Sequence, residues 1–114
     1  MGKGMQGLMS LTIQDVASLY EAYMPFIRGG GLFVPTHKRY NLGDDVFIRL
    51  TLMDEPQKIP VPGKVIWITP VEVQGGWKAG IGIQFNDPTD SVRTKIETYI
   101  AGGLASSDLQ TSTM

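Results

Sequence analysis

With 114 residues and a net charge of −1, the chain has room for one domain with a single core, and it lacks the basic balance of a dedicated nucleic-acid binder. Hydrophobic residues at 42% against charged residues at 18% place it among globular proteins and exclude intrinsic disorder. Its lack of cysteine excludes a disulfide framework, a thiolate zinc site and a thiol nucleophile.

The N-terminal Met-Gly-Lys-Gly-Met-Gln lacks the apolar core of a signal peptide, and Gln6 stands where a myristoylation signal wants Ser or Thr. No apolar run approaches the roughly 20 residues that span a bilayer, so no membrane insertion and a cytoplasmic location are expected. Residues 1–7 are Gly-rich and expected to fray. Leu8 to Ile13 reads as a first strand. Asp15 then reads as a helix N-cap before Val16, Leu19, Tyr20 and Tyr23, an i, i+3, i+4, i+7 stripe. Met24-Pro25 closes that segment, so residues 16–24 are expected to form a short helix or turn against the sheet.

From Leu32 to Phe85 the signals are all β. Leu32-Phe33-Val34 is bounded by Gly29-Gly30-Gly31 and Pro35. Val46, Ile48, Leu50 and Leu52 alternate with Phe47, Arg49, Thr51 and Met53, the period of a strand with one buried face. Asp54-Glu55-Pro56-Gln57 is a polar turn. Lys58 to Thr69 carries Pro60, Pro62 and Gly63, which suits an edge or a bulge because proline has no N–H to give a neighbour. Gln74-Gly75-Gly76 reads as the next turn. Ala79 to Phe85 follows, with Ile81, Ile83 and Phe85 on one face and Gly80, Gly82 and Gln84 on the other.

The period then changes. Asp87-Pro88 reads as a cap followed by proline at the first helical position. Val92, Ile96, Tyr99 and Ile100 form the apolar stripe of a helix, with Arg93 and Glu97 able to pair on its outer side. Gly102-Gly103 is expected to end it. Residues 104–114 are Ser/Thr-rich, with Leu104, Leu109 and Met114 as apolar anchors, and read as a mobile tail that orders on a partner. Hairpin-linked strands cannot bury both faces and their edges alone, so closure into a small barrel of about six strands, covered by a helix, is the natural solution.

Catalysis finds little support. His37 is the chain's one histidine, beside Lys38 and Arg39, with no serine or cysteine placed to use it. Asp44-Asp45 and Asp87/Asp90 are explained by turn and cap chemistry rather than by metal. His37-Lys38-Arg39-Tyr40 is a basic-aromatic cluster of the kind that touches single-stranded nucleic acid in some barrels, against an acidic total charge. The aromatic residues are too many for a small core, and those left outside read as interface anchors.

The Gly-Gly-Leu-Phe-Val strand entry, Leu42-Gly43-Asp44, Gly63-Lys64-Val65-Ile66-Trp67 and Gly80-Ile81-Gly82-Ile83-Gln84-Phe85 occur in the order of the PilZ domain family, which the chain resembles over residues 8–103. The stretch Tyr23 to Gly31 is similar to the short stand-alone PilZ proteins of type IV pilus assembly. The resemblance implies a mainly β, PilZ-type barrel with a short N-terminal helix or turn and a C-terminal helix. Members that bind cyclic di-GMP carry (Asp/Asn)-x-Ser-x-x-Gly at the glycine loop; here Phe26 replaces the acid or amide and Arg28 the serine. They also carry an upstream Arg-x-x-x-Arg, whereas this chain has no arginine before Arg28 and only Lys3 as an earlier cation. Losing several charge-assisted bonds, at roughly 1.5–3 kcal/mol each, would abolish micromolar binding.

The loop Phe26, Arg28, Gly29, Gly30, Gly31 is therefore expected to be a degenerate nucleotide loop, with no cofactor bound. The resemblance implies a non-enzymatic adaptor in pilus assembly and twitching motility. Its partners would be the pilus extension ATPase and a degenerate GGDEF-EAL receptor that itself holds cyclic di-GMP. Tyr20, Tyr23, Trp67, Leu104 and Leu109 are the expected partner-binding residues. Core packing is the competing reading for Tyr20, on an apolar stripe, and for Trp67, in a strand. A cyclic di-GMP effector using Arg28, and a nucleic-acid-binding barrel using Lys38, Arg39 and Tyr40, are the alternative functions.

Overall fold

The computed structural model describes residues 7–70 and 79–106, with the side chains of residues 104–106 excluded. The expected turn at Gln74-Gly75-Gly76, Leu109 and most of the C-terminal tail lie outside the described residues, and so does the side chain of Leu104. The elements are β1 (Gly7–Ile13), α1 (Val16–Ala22), β2 (Gly31–Pro35), β3 (Asp45–Leu52), β4 (Ile59–Thr69), β5 (Gly80–Phe85) and α2 (Ser91–Ser106). The described strands number five, against an expected six or so, and form one curled half-barrel sheet in the order β1-β3-β4-β5-β2. β1 and β3 run parallel, and every other pair is antiparallel.

The alternation in β3 does what its period dictates: Val46, Ile48, Leu50 and Leu52 are buried on the concave side. Ile13, Leu32, Val34, Val61, Val65, Ile81 and Ile83 join them, and Leu19 of α1 and Val92 and Ile96 of α2 close the core. At about 25 cal/mol per Å² of apolar area removed from water, this single cluster is the main source of stability.

Asp15 caps α1 as expected, accepting from the Ser18 amide at 2.7 Å. The helix stops at Ala22, two residues sooner than expected, because Tyr23 turns extended and bridges Leu32 at the outer edge of β2. α2 begins at Ser91 rather than at Pro88. Asp87 still acts as a cap, but across a turn: its carboxylate accepts from the Val92 amide at 2.9 Å and the Ser91 hydroxyl at 3.0 Å. At the other end, Gly102-Gly103 does not end α2, which runs on to Ser106. A side chain at Gly103 would meet Val16 Cγ1 at 2.6 Å, so this glycine lets α2 approach α1 closely.

β4 is internal in the sheet, not an edge. The prolines are accommodated because pairing with β5 begins only at Gly63, leaving Pro60 and Pro62 on a stretch paired with β3 alone. The expected irregularity in β4 lies further along, where the register with β5 shifts between Val65 and Trp67.

Candidate functional site

The glycine loop is a strand entry built by the backbone. Gly29 and Gly30 have φ of 79° and 88°, the left-handed region that side-chain-bearing residues avoid. A Cβ on Gly31 would sit 2.5 Å from the Ile83 carbonyl oxygen, so β2 can lie against β5 only with glycine there. The Gly30 amide donates to Ile27 O at 2.7 Å, and the Phe85 amide donates to Gly30 O at 3.0 Å. Arg28 is exposed, and its carbonyl accepts from Gln84 Nε2 at 3.0 Å. The only charged side chain the loop itself offers is Arg28.

Phe26 points into solvent with 77% of its surface accessible. It stands on the rim of two apolar clefts. One, of about 540 Å³, is formed by Tyr20 and Tyr23, by Pro25 and Phe26, and by Glu97, Ile100 and Ala101 of α2. The other, of about 590 Å³, lies where the two ends of the sheet fail to meet. Its walls include Leu11, Thr12 and Ile13 of β1, Ala22 of α1, Met24, Phe26, Phe33 and Trp67. Tyr23 and Phe26 belong to both clefts.

The structure thus brings Tyr20, Tyr23, Phe26 and Trp67 to one continuous surface. Tyr20 is 63% exposed and Trp67 54% exposed, so the core-packing reading fails for both. Tyr20 is on the stripe that should face inward, but Leu19 fills the core at that point of a helix only seven residues long. For Trp67 the reason is the bulge. Strict alternation from buried Val65 would send Trp67 inward; one extra residue, Ile66, sets Trp67 opposite Gly82 on the outer face instead. Gly82 has no side chain to resist, and a Cβ there would lie 2.8 Å from Trp67 Cβ and 3.2 Å from Met24 Cε. Trp67 Nε1 donates to Thr69 Oγ1 at 2.9 Å, fixing the indole.

Tyr23 is the exception, being only 8% exposed. Its ring supports the floor of the clefts and its hydroxyl donates to Glu97 Oε2, joining the end of α1 to α2. Burial first, then that hydrogen bond and the negative charge of Glu97, hold its pKa far above the usual tyrosine value, with Arg93 acting weakly the other way. The expected Arg93–Glu97 pairing gives way to this contact. Arg93 instead packs its stem under Gly30, where a Cβ would lie 3.1 Å from its Cγ, and its Nε is buried without a partner.

A second network anchors α2 to the β3–β4 turn. Lys95 Nζ lies 3.2 Å from Glu55, and the Tyr99 hydroxyl donates to the same carboxylate. The Tyr99 hydrogen bond first, and Lys95 after it, lower the Glu55 pKa. Among the described residues no helix is long and apolar enough to cross a membrane, and no group of three or more potential metal ligands occurs. His37, Lys38, Arg39 and Tyr40 line a cleft of about 470 Å³ with Ile68 and Gly80.

Sequence reasoning placed Phe26 in the degenerate loop and among the aromatic residues competing for a small core, without saying on which side of the surface it would fall. The structure decides it: Ile27 of the same loop is buried, while Phe26 is exposed.

The family model for the PilZ domain matches residues 8–102. None of the curated proteins compared with it matches the chain. PilZ domains are in general non-catalytic binding domains that act as cyclic di-GMP-linked adaptors or effectors and mediate protein–protein contacts. The half-barrel with its C-terminal helix, the glycine strand entry and the match over nearly the whole chain make this protein a member of the PilZ domain family.

Proposed function

We propose that the chain is a stand-alone, non-enzymatic PilZ adaptor of type IV pilus assembly and twitching motility that does not itself bind cyclic di-GMP. It links a degenerate GGDEF-EAL receptor, which holds the nucleotide, to the pilus extension ATPase in the cytoplasm. The unit is the PilZ domain of residues 8–103, flanked by residues 1–7 and by residues 104–114, where Leu104 in the last turns of α2 and Leu109 beyond it add to a partner contact. The observation that carries this reading is the exposure of Phe26 beside Tyr20 and Trp67. The position that would offer a polar group to a nucleotide offers an aromatic ring to a protein surface. Losing the polar partners removes affinity for a doubly charged ligand, while clustered aromatic residues gain affinity for an apolar one.

The test is a pull-down of the extension ATPase with wild type beside Tyr20→Ala and Trp67→Ala, with each variant first checked for folding. Both folded variants lose the ATPase if this surface docks it; retention at the wild-type level by both refutes the assignment. Calorimetry with cyclic di-GMP gives no binding heat. A micromolar dissociation constant would instead support an effector using Arg28.

A further inference from the structure

Among the described residues β1 is hydrogen-bonded on one side only, to β3, and is the terminal strand of the sheet. The opposite terminal strand is protected: Tyr23 bridges Leu32, the Met24 amide donates to Gly31 O at 2.9 Å, and Pro35 offers no N–H. Among the described residues β1 shows none of these protections. Gly7-Leu8-Met9-Ser10-Leu11-Thr12-Ile13 has no charge, no proline and no bulge, and such an edge pairs readily with another strand. Leu8, on its outer face, is 60% exposed.

We propose that β1 pairs antiparallel with β1 of a second copy of this chain, about a two-fold axis through Ser10. The strand is self-complementary in that register. Met9 lies opposite Leu11 of the other copy and Leu11 opposite its Met9, which extends the half-buried apolar row of β1 across the axis. On the outer face Leu8 lies opposite Thr12 of the other copy. Thr12 is on the wall of the 590 Å³ cleft, together with Leu11, Phe33 and Trp67. The exposed leucine of each copy therefore arrives at the mouth of the other's apolar cleft, and the two-fold repeats the contact. The absence of charge on β1 means that two identical edges meet without repulsion.

Sedimentation or light scattering over a concentration series tests the pairing. Wild type shows a mass rising towards twice 12.5 kDa, and Leu8→Lys and Thr12→Lys, both at solvent-facing positions, stay at the single-chain mass. Because the chain lacks cysteine, Ser10→Cys supplies a unique thiol on the axis. It forms a disulfide-linked dimer under mild oxidation, while Lys64→Cys, exposed on β4, does not. A wild type that keeps the single-chain mass at every concentration overturns the proposal. So does a dimer unaffected by either lysine, or a Ser10→Cys variant that crosslinks no faster than Lys64→Cys.

Discussion

Replacing Tyr23 with phenylalanine isolates one bond that ties the two helices together. The ring remains, so the packing against Leu32 and the core is kept, and only the hydroxyl that donates to Glu97 is lost. A hydrogen bond to a charged acceptor contributes roughly 1.5–3 kcal/mol, but Glu97 is exposed and rehydrates when its donor leaves, which brings the net loss to about 1–1.5 kcal/mol. For a domain near 100 residues that corresponds to a fall in Tm of roughly 4–8 °C. Thermal unfolding followed by circular dichroism reads it directly. The same variant carries a pH signature. The folded-state pKa of Tyr23 is raised, so its stabilisation is complete below the unfolded value of about 10 and declines as pH rises beyond it. Wild type therefore loses part of its advantage over Tyr23→Phe at strongly alkaline pH. Adding Glu97→Ala to the phenylalanine variant costs little more, because the partner is already gone. An unchanged Tm in Tyr23→Phe, or a Glu97→Ala effect of equal size in both backgrounds, refutes the coupling.

Asp87, held down to about 2 by the Val92 amide first and by the Thr89 and Ser91 hydroxyls and the Thr89 amide beyond it, contributes stability that is present above about pH 4 and lost as pH falls through about 2. Asp87→Ala costs about 1 kcal/mol at neutral pH as a lost cap and flattens the acid limb of the stability curve. Gly31→Ala drives a methyl to within 2.5 Å of Ile83 O and 2.8 Å of Ile27 Cδ1, so it destabilises by at least about 1–3 kcal/mol in urea unfolding. Restoring the motif side chains with Phe26→Asp and Arg28→Ser leaves cyclic di-GMP binding undetectable by calorimetry, because no upstream arginine pair grips the phosphates; binding in that variant would show the loop alone to be sufficient.

The periodic strands and the local caps were legible in the sequence. β3 could be read from alternation alone, and Asp15 and Asp87 from the chemistry of a short carboxylate before an apolar stripe. Local reading failed where a neighbour overruled it. α2 passes through Gly102-Gly103 because Val16 packs against Gly103, and a helix with tertiary contacts tolerates residues that would end an isolated one. β4 holds two prolines inside the sheet because its partner β5 starts late. The parallel pairing of β1 with β3 joins strands over thirty residues apart, and no local pattern carries that information.

The same division applies to the candidate site. Sequence alone determined that the loop carries three glycines and offers Phe26 and Arg28 beside them, since both facts are matters of residue identity. The tertiary structure decided where those side chains go. A single-residue bulge turns Trp67 outward, a short helix leaves Tyr20 in solvent, and the curl of the sheet brings both beside Phe26. Register and curvature are set by long-range packing of the whole sheet, so the aromatic surface exists only in the folded chain.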